Sequence, residues 1–190
     1  MRHGVNIMKR ALLVIDVQNE YFSGKLPVSY PAGSLERIVA AMDAARAHNV
    51  PVVVVRHTAR GDRGVFKQGT PEWELHKEVA ARPHDRLIDK TMPSSFAGTE
   101  LESWLRQNGI DTLAIAGYMT QMCCDSTARD GFHRGFRVEF LADATGTLSL
   151  GTEAGKVADR DLHNAVLVTQ STMFSKVMKT ADWIRSLEQK

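Results

Sequence analysis

Short, continuously apolar runs rich in β-branched residues constrain this chain more than any other feature. Ala11-Leu12-Leu13-Val14-Ile15 and Val52-Val53-Val54-Val55 are the clearest, and others occupy residues 112–117, 137–141 and 165–169. A strand with one wet face alternates apolar and polar residues, whereas a strand covered on both faces does not. The runs therefore predict buried parallel strands at residues 11–16, 51–56, 112–117, 137–141 and 165–169, with a further short strand at 86–88. Amphipathic stretches lie between them. In residues 34–48, Leu35, Ile38, Val39, Met42 and Ala45 recur at steps of three and four behind Ser34 as an expected N-cap. Residues 97–107, closed by Asn108-Gly109, and residues 123–134 and 173–187 also read as helices. Strands alternating with helices predict right-handed crossovers and an α/β sandwich.

At 190 residues the chain suits one domain, spanning 1–190, with residues 1–9 as a flexible N-terminal extension. The net charge is only +2, and no dense cationic tract supports nucleic-acid or membrane-surface binding. No apolar run approaches the roughly 20 residues that span a bilayer. The basic N-terminus is followed by only five apolar residues before Asp16, so it does not read as an export signal. Cys123 and Cys124 are adjacent and cannot form a useful disulfide framework, which points to a reducing cytoplasm. Residues 59–85 are irregular and too long for a plain connection; segments of this kind serve as lids or contact loops.

Ligands of open parallel sheets bind at the carboxyl ends of the strands. Asp16, Arg56-His57, Lys90 and Gly117 stand at such ends, with Cys123 just beyond the last. In the first turn of a helix, Cys123 would have its thiolate favoured by backbone N–H groups; an inert buried thiol is the alternative. Asp16 reads either as a general base for that thiol or as the end of a strand. Lys90 reads either as a cation holding both groups in reactive form or as a solvated surface charge.

The three residues sit in longer motifs. Leu13-Val14-Ile15-Asp16-Val17-Gln18-Asn19-Glu20-Tyr21-Phe22, Asp89-Lys90-Thr91-Met92-Pro93-Ser94-Ser95-Phe96 and Gly117-Tyr118-Met119-Thr120-Gln121-Met122-Cys123 resemble, in order, the signatures of the isochorismatase-like cysteine hydrolases. The likeness runs from about Arg10 to Ile184, and residues 69–76 with 117–120 look most like the streptothricin hydrolase branch, which opens a lactam. The resemblance implies a three-layer α/β/α sandwich with a mainly parallel six-stranded sheet. It also implies a catalytic triad of Asp16, Lys90 and Cys123, a cis Tyr118–Met119 peptide, and an oxyanion hole made by the Met119 and Cys123 N–H groups. The expected reaction is hydrolysis of a small amide, lactam or carbamoyl compound through a thioester. An isochorismatase-type enol-ether hydrolase and a non-catalytic scaffold of the same fold are the alternatives. The resemblance further implies a homo-oligomer, with the Trp73 loop and the Trp183 helix as contact surfaces.

Relatives that hydrolyse nicotinamide carry an Asp-x-His pair and a further His after the second strand. Here Val55-Arg56-His57-Thr58-Ala59-Arg60 lacks that pair, so neither a metal nor any other cofactor is expected. Phe22, Phe96, Tyr118 and Trp73 are candidate substrate walls. Arg56, His57 and Arg60 are candidate partners for a substrate carboxylate. Cys124 reads as a small packed side chain.

Overall fold

A computed structural model of the chain describes residues 8–61 and 64–188. Residues 1–7 of the expected extension and residues 62–63 of the irregular segment lie outside the described residues. In chain order the strands are β1 (Arg10–Ile15), β2 (Val52–His57), β3 (Arg86–Lys90), β4 (Thr112–Tyr118), β5 (Arg137–Gly146), β6 (Leu150–Thr152), β7 (Gly155–Val157) and β8 (Lys176–Met178). The helices are α1 (Ser34–Ala47), α2 (Lys77–Ala80), α3 (Leu101–Gln107), α4 (Asp125–His133), α5 (Asp159–Thr169) and α6 (Thr180–Glu188). Six strands form one parallel sheet in the order β3-β2-β1-β4-β5-β8, while β6 and β7 make a separate antiparallel hairpin.

The apolar runs are continuous because successive side chains enter different cores. Leu12, Val14, Val52 and Val54 pack with Ile38 and Met42 of α1 and Trp183 of α6. Leu13, Ile15, Val53 and Val55 pack with Leu101 and Leu105 of α3 and Ala128 of α4. Helices therefore cover both faces, giving the three-layer α/β/α sandwich. Among the described residues no helix is long and apolar enough to cross a membrane.

The structure corrects four expectations. Residues 165–169 are not a strand but the last turns of α5. Acidic Asp159 and Asp161 occupy its first turn, where they favour a helix N-terminus, and Val168 is 65% exposed. The sixth strand is instead β8, inside the stretch expected to be helical from 173 to 187. The strand-to-helix junction there is set from outside, by Thr180 donating to Asp143 Oδ1 through both its backbone N–H (2.8 Å) and its hydroxyl (2.7 Å). Ser34 does not cap α1. Gly33 holds the N-cap position at φ 76°, and the Ser34 hydroxyl meets the Tyr118 hydroxyl at 3.0 Å. Finally, the Trp73 and Trp183 side chains are buried within the subunit, so other residues make the exposed surface of their loop and helix; Val168 and Met173 are the most exposed large apolar side chains described.

Two features hold the interior strands of the sheet together. Glu139 accepts both Arg10 Nε (2.9 Å) and Trp183 Nε1 (2.9 Å), fastening β1, β5 and α6 together. At the sheet centre Gly117 pairs with Ile15, and a Cβ at Gly117 would lie 2.0 Å from the Ile15 carbonyl oxygen at a φ of +118°. Gly135 also has positive φ (+82°) but opens onto space. Gly117→Ala should therefore cost about 3 kcal/mol of stability. Gly135→Ala should cost only about 1 kcal/mol, the strain of left-handed backbone alone. Urea unfolding of the two variants checks this, and equal losses would contradict the packing described.

Candidate active site

Three strand ends converge. Asp16 follows β1 with a positive φ of 53°, a conformation that turns its carboxylate off the strand and that Asp tolerates better than most residues. Its own N–H donates to the Val55 carbonyl (2.9 Å), and its carbonyl accepts the Gln18 N–H (2.8 Å), which pins the turn. Lys90 is the last residue of β3. Cys123 lies in a π-helical turn, Thr120–Cys124, that follows the cis Tyr118–Met119 peptide at the end of β4 and leads into α4.

The side chains meet in a buried interior. Lys90 Nζ lies 2.7 Å from Asp16 Oδ2, and both side chains are wholly buried. The same ammonium lies 3.2 Å from Cys123 Sγ, 3.1 Å from the Met92 carbonyl oxygen and 3.3 Å from His57 Nδ1. Three hydrogens thus serve four acceptors. The Lys90–Asp16 contact is a close, fully buried ion pair, and the Cys123 thiol shares the same ammonium.

Electrostatics decide where the protons sit. Burial alone would weaken the hold of Lys90 on its proton. Asp16 and Cys123 outweigh that effect and keep its pKa above the ordinary lysine value. Burial pushes the Cys123 thiol well up, the Asp16 charge pushes it further, and Lys90 opposes only in part. Burial and the Asp16 charge thus act on this thiol against the expected lowering, and Lys90 acts with it. Cys124 is also buried, and burial raises its thiol too. It packs as a small core side chain.

Gln18 was unassigned in the sequence, yet it organises one wall. Its Oε1 accepts the His57 N–H (2.8 Å), and its Nε2 donates to the carbonyls of His57 (3.0 Å) and Trp73 (2.6 Å). Its place two residues after Asp16 was the available signal. Phe66, also unassigned, packs against Tyr21 and His57 from the irregular segment, where no periodicity marks it.

The candidate walls separate. Phe22 and Tyr118 meet edge to face with centroids 5.8 Å apart. Trp73 lies under the Arg56 guanidinium (3.9 Å) and donates from Nε1 to Thr58 Oγ1 (2.8 Å). Phe96 is held in the opposite core, stacked on Phe136 and against Gly131. Arg56 is engaged by Asp89 at 2.8 Å, and Arg60 donates to Thr91 Oγ1 at 3.0 Å. Among the described residues no three His, Cys, Asp or Glu side chains are grouped as metal ligands.

Comparison with known proteins agrees with this architecture. The crystal structure of a Burkholderia xenovorans LB400 protein assigned to the isochorismatases superposes with a TM-score of 0.94 at 43% identity, covering 96% of this chain and 88% of that one. Nicotinamidase 3 of Arabidopsis thaliana is 31% identical over 93% of this chain and 88% of its own length. Streptothricin hydrolase of Streptomyces noursei is 36% identical over 74% of this chain and 51% of its own length. The isochorismatase domain model matches residues 10–182. With nearly the whole sheet and its carboxyl-end side chains inside that match, the chain belongs to the isochorismatase family of hydrolases.

Proposed function

We propose that Asp16, Lys90 and Cys123 are the catalytic triad of a cysteine hydrolase that cleaves a C–N bond in a small amide, lactam or carbamoyl compound. The observation that carries this reading is the convergence of the three side chains in one buried site, with Lys90 Nζ 2.7 Å from Asp16 Oδ2 and 3.2 Å from Cys123 Sγ. Moving the proton from Cys123 to Asp16 leaves the site's total charge unchanged. Losing it to solvent would leave a net buried anion, which is far more costly. Lys90 touches both groups and stabilises whichever carries the negative charge.

In this mechanism the thiolate attacks the substrate carbonyl carbon and forms a C–S bond. The Met119 and Cys123 N–H groups receive the developing oxyanion. Protonated Asp16 gives its proton to the departing nitrogen as the C–N bond breaks, leaving a thioester and free ammonia or an amine. Water, deprotonated by Asp16, then releases the acid and restores the thiol. A relative named as a nicotinamidase supports amide cleavage as the reaction class. No step requires a metal, since the cationic position is filled by Lys90. The reading also takes the chain to work in a reducing cytoplasm, in keeping with two buried free thiols.

A panel of small amides, with ammonia release as readout, tests the reaction class. On any substrate so found, Cys123→Ala should lower turnover by about 10⁴-fold or more and abolish the acyl adduct seen by mass spectrometry. Turnover at the unsubstituted rate would sink the assignment. Asp16→Asn should lower turnover on the same substrate by about 10²–10⁴-fold, because no carboxylate remains to protonate the departing nitrogen or to deprotonate water. Because the thiol pKa is raised, the residual rate of that variant should climb as pH increases, whereas a rate independent of both residue and pH would contradict the base role. Protein prepared without chelator should contain no stoichiometric zinc; one zinc per chain would overturn the metal-free mechanism.

A further inference from the structure

The buried side of the nucleophile turn is tied to α5 by a hydrogen-bond chain that the mechanism above does not use. Thr120 Oγ1 lies 2.9 Å from His163 Nδ1, and His163 Nε2 lies 3.0 Å from the Ala142 carbonyl oxygen. A carbonyl can only accept, so Nε2 carries the hydrogen and Nδ1 of the neutral ring presents a lone pair. The Thr120 hydroxyl therefore donates to Nδ1. Burial weakens the ring's hold on a second proton, with the Ala142 carbonyl opposing only in part. Thr120 and His163 are 0% and 3% exposed, so water cannot readily replace either partner.

The surroundings make this chain more than a local contact. A π-helical turn is rare, and its wider hydrogen-bond ring holds it less firmly than an α-turn. Thr120 opens that turn, directly after Met119 and three residues before Cys123. On the other side, the β4–β5 register jumps from Ile115↔Phe140 to Gly117↔Thr145. Residues 141–144 thereby form a bulge, and His163 takes the carbonyl of Ala142 within it. Bulges of this kind recur beside active sites, where they re-aim groups.

We propose that His163 is a positioning residue that, through Thr120, locks the turn carrying the Met119 and Cys123 N–H groups and so fixes the oxyanion-binding side of the site. It does this without touching substrate. The inference rests on the cysteine-hydrolase reading above.

Two small probes separate the oxyanion side from the nucleophile itself. With p-nitrophenyl acetate, the Cys123 sulfur bonds to the acetyl carbon through an oxyanion and p-nitrophenolate leaves. With iodoacetamide, the sulfur displaces iodide at a saturated carbon and no oxyanion forms. Both rates are read on the full chain in a Cys124→Ser background. Thr120→Val and His163→Phe should slow acylation about 10- to 100-fold while alkylation stays within about twofold. Thr120→Ser, which keeps the hydroxyl, and His163→Gln, whose amide can both accept and donate, should recover most of the acylation rate. Should His163→Phe fail to fold, the near-isosteric Thr120→Val against Thr120→Ser carries the test. Equal loss of both reactions, or unchanged acylation, would overturn the positioning role. Absence of any acyl adduct on Cys123 in the Cys124→Ser parent would overturn the cysteine-hydrolase reading and this inference with it.

Discussion

The 2.7 Å contact between Lys90 and Asp16 governs what the rest of the molecule must supply, because neither side chain reaches the protein surface. A buried ion pair is tolerated only where the geometry is good and the remaining donors find acceptors. Lys90 meets that condition through Cys123, Met92 and His57. Asp16 has the same ammonium as its partner, so one cation holds the carboxylate and the thiol together.

Holding that arrangement requires three strand ends at fixed depth. β1 and β4 approach so closely that Gly117 has no room for a side chain against the Ile15 carbonyl. β3 ends on Lys90, in register with His57 of β2. Gln18 then clamps the ends of β2 and the Trp73 loop together, and Thr120 and His163 clamp the nucleophile turn from the opposite side. Strand ends thus set Asp16 and Lys90, while turn and loop side chains close around them.

Much of this was legible before any coordinates. The doubly covered strands announced themselves because alternate residues of β1 and β2 enter two cores, so no polar residue interrupts them. Asp16, Lys90 and Cys123 could be brought together because the carboxyl ends of parallel strands face one edge. What escaped was decided by tertiary contact. The apolar residues 165–169 looked like a strand, yet acidic residues start a helix ahead of them and Val168 faces solvent. That misreading also hid His163, whose role depends on α5 being helical. β8 was invisible because its three residues carry too little pattern, and the start of α6 is fixed by Asp143 from β5. The thiol's raised pKa was missed because helix-start effects are local and readable, whereas the degree of burial is not.

We infer that Cys123 rests as a neutral thiol whose proton is passed inward to Asp16, rather than as a preformed thiolate. Infrared spectroscopy of the Cys124→Ser protein at neutral pH tests this directly, because a neutral thiol has an S–H stretching band and a thiolate has none. The account predicts an S–H band that disappears in the further Cys123→Ser variant. A missing band, with thiolate ultraviolet absorbance present at the same pH, would contradict it.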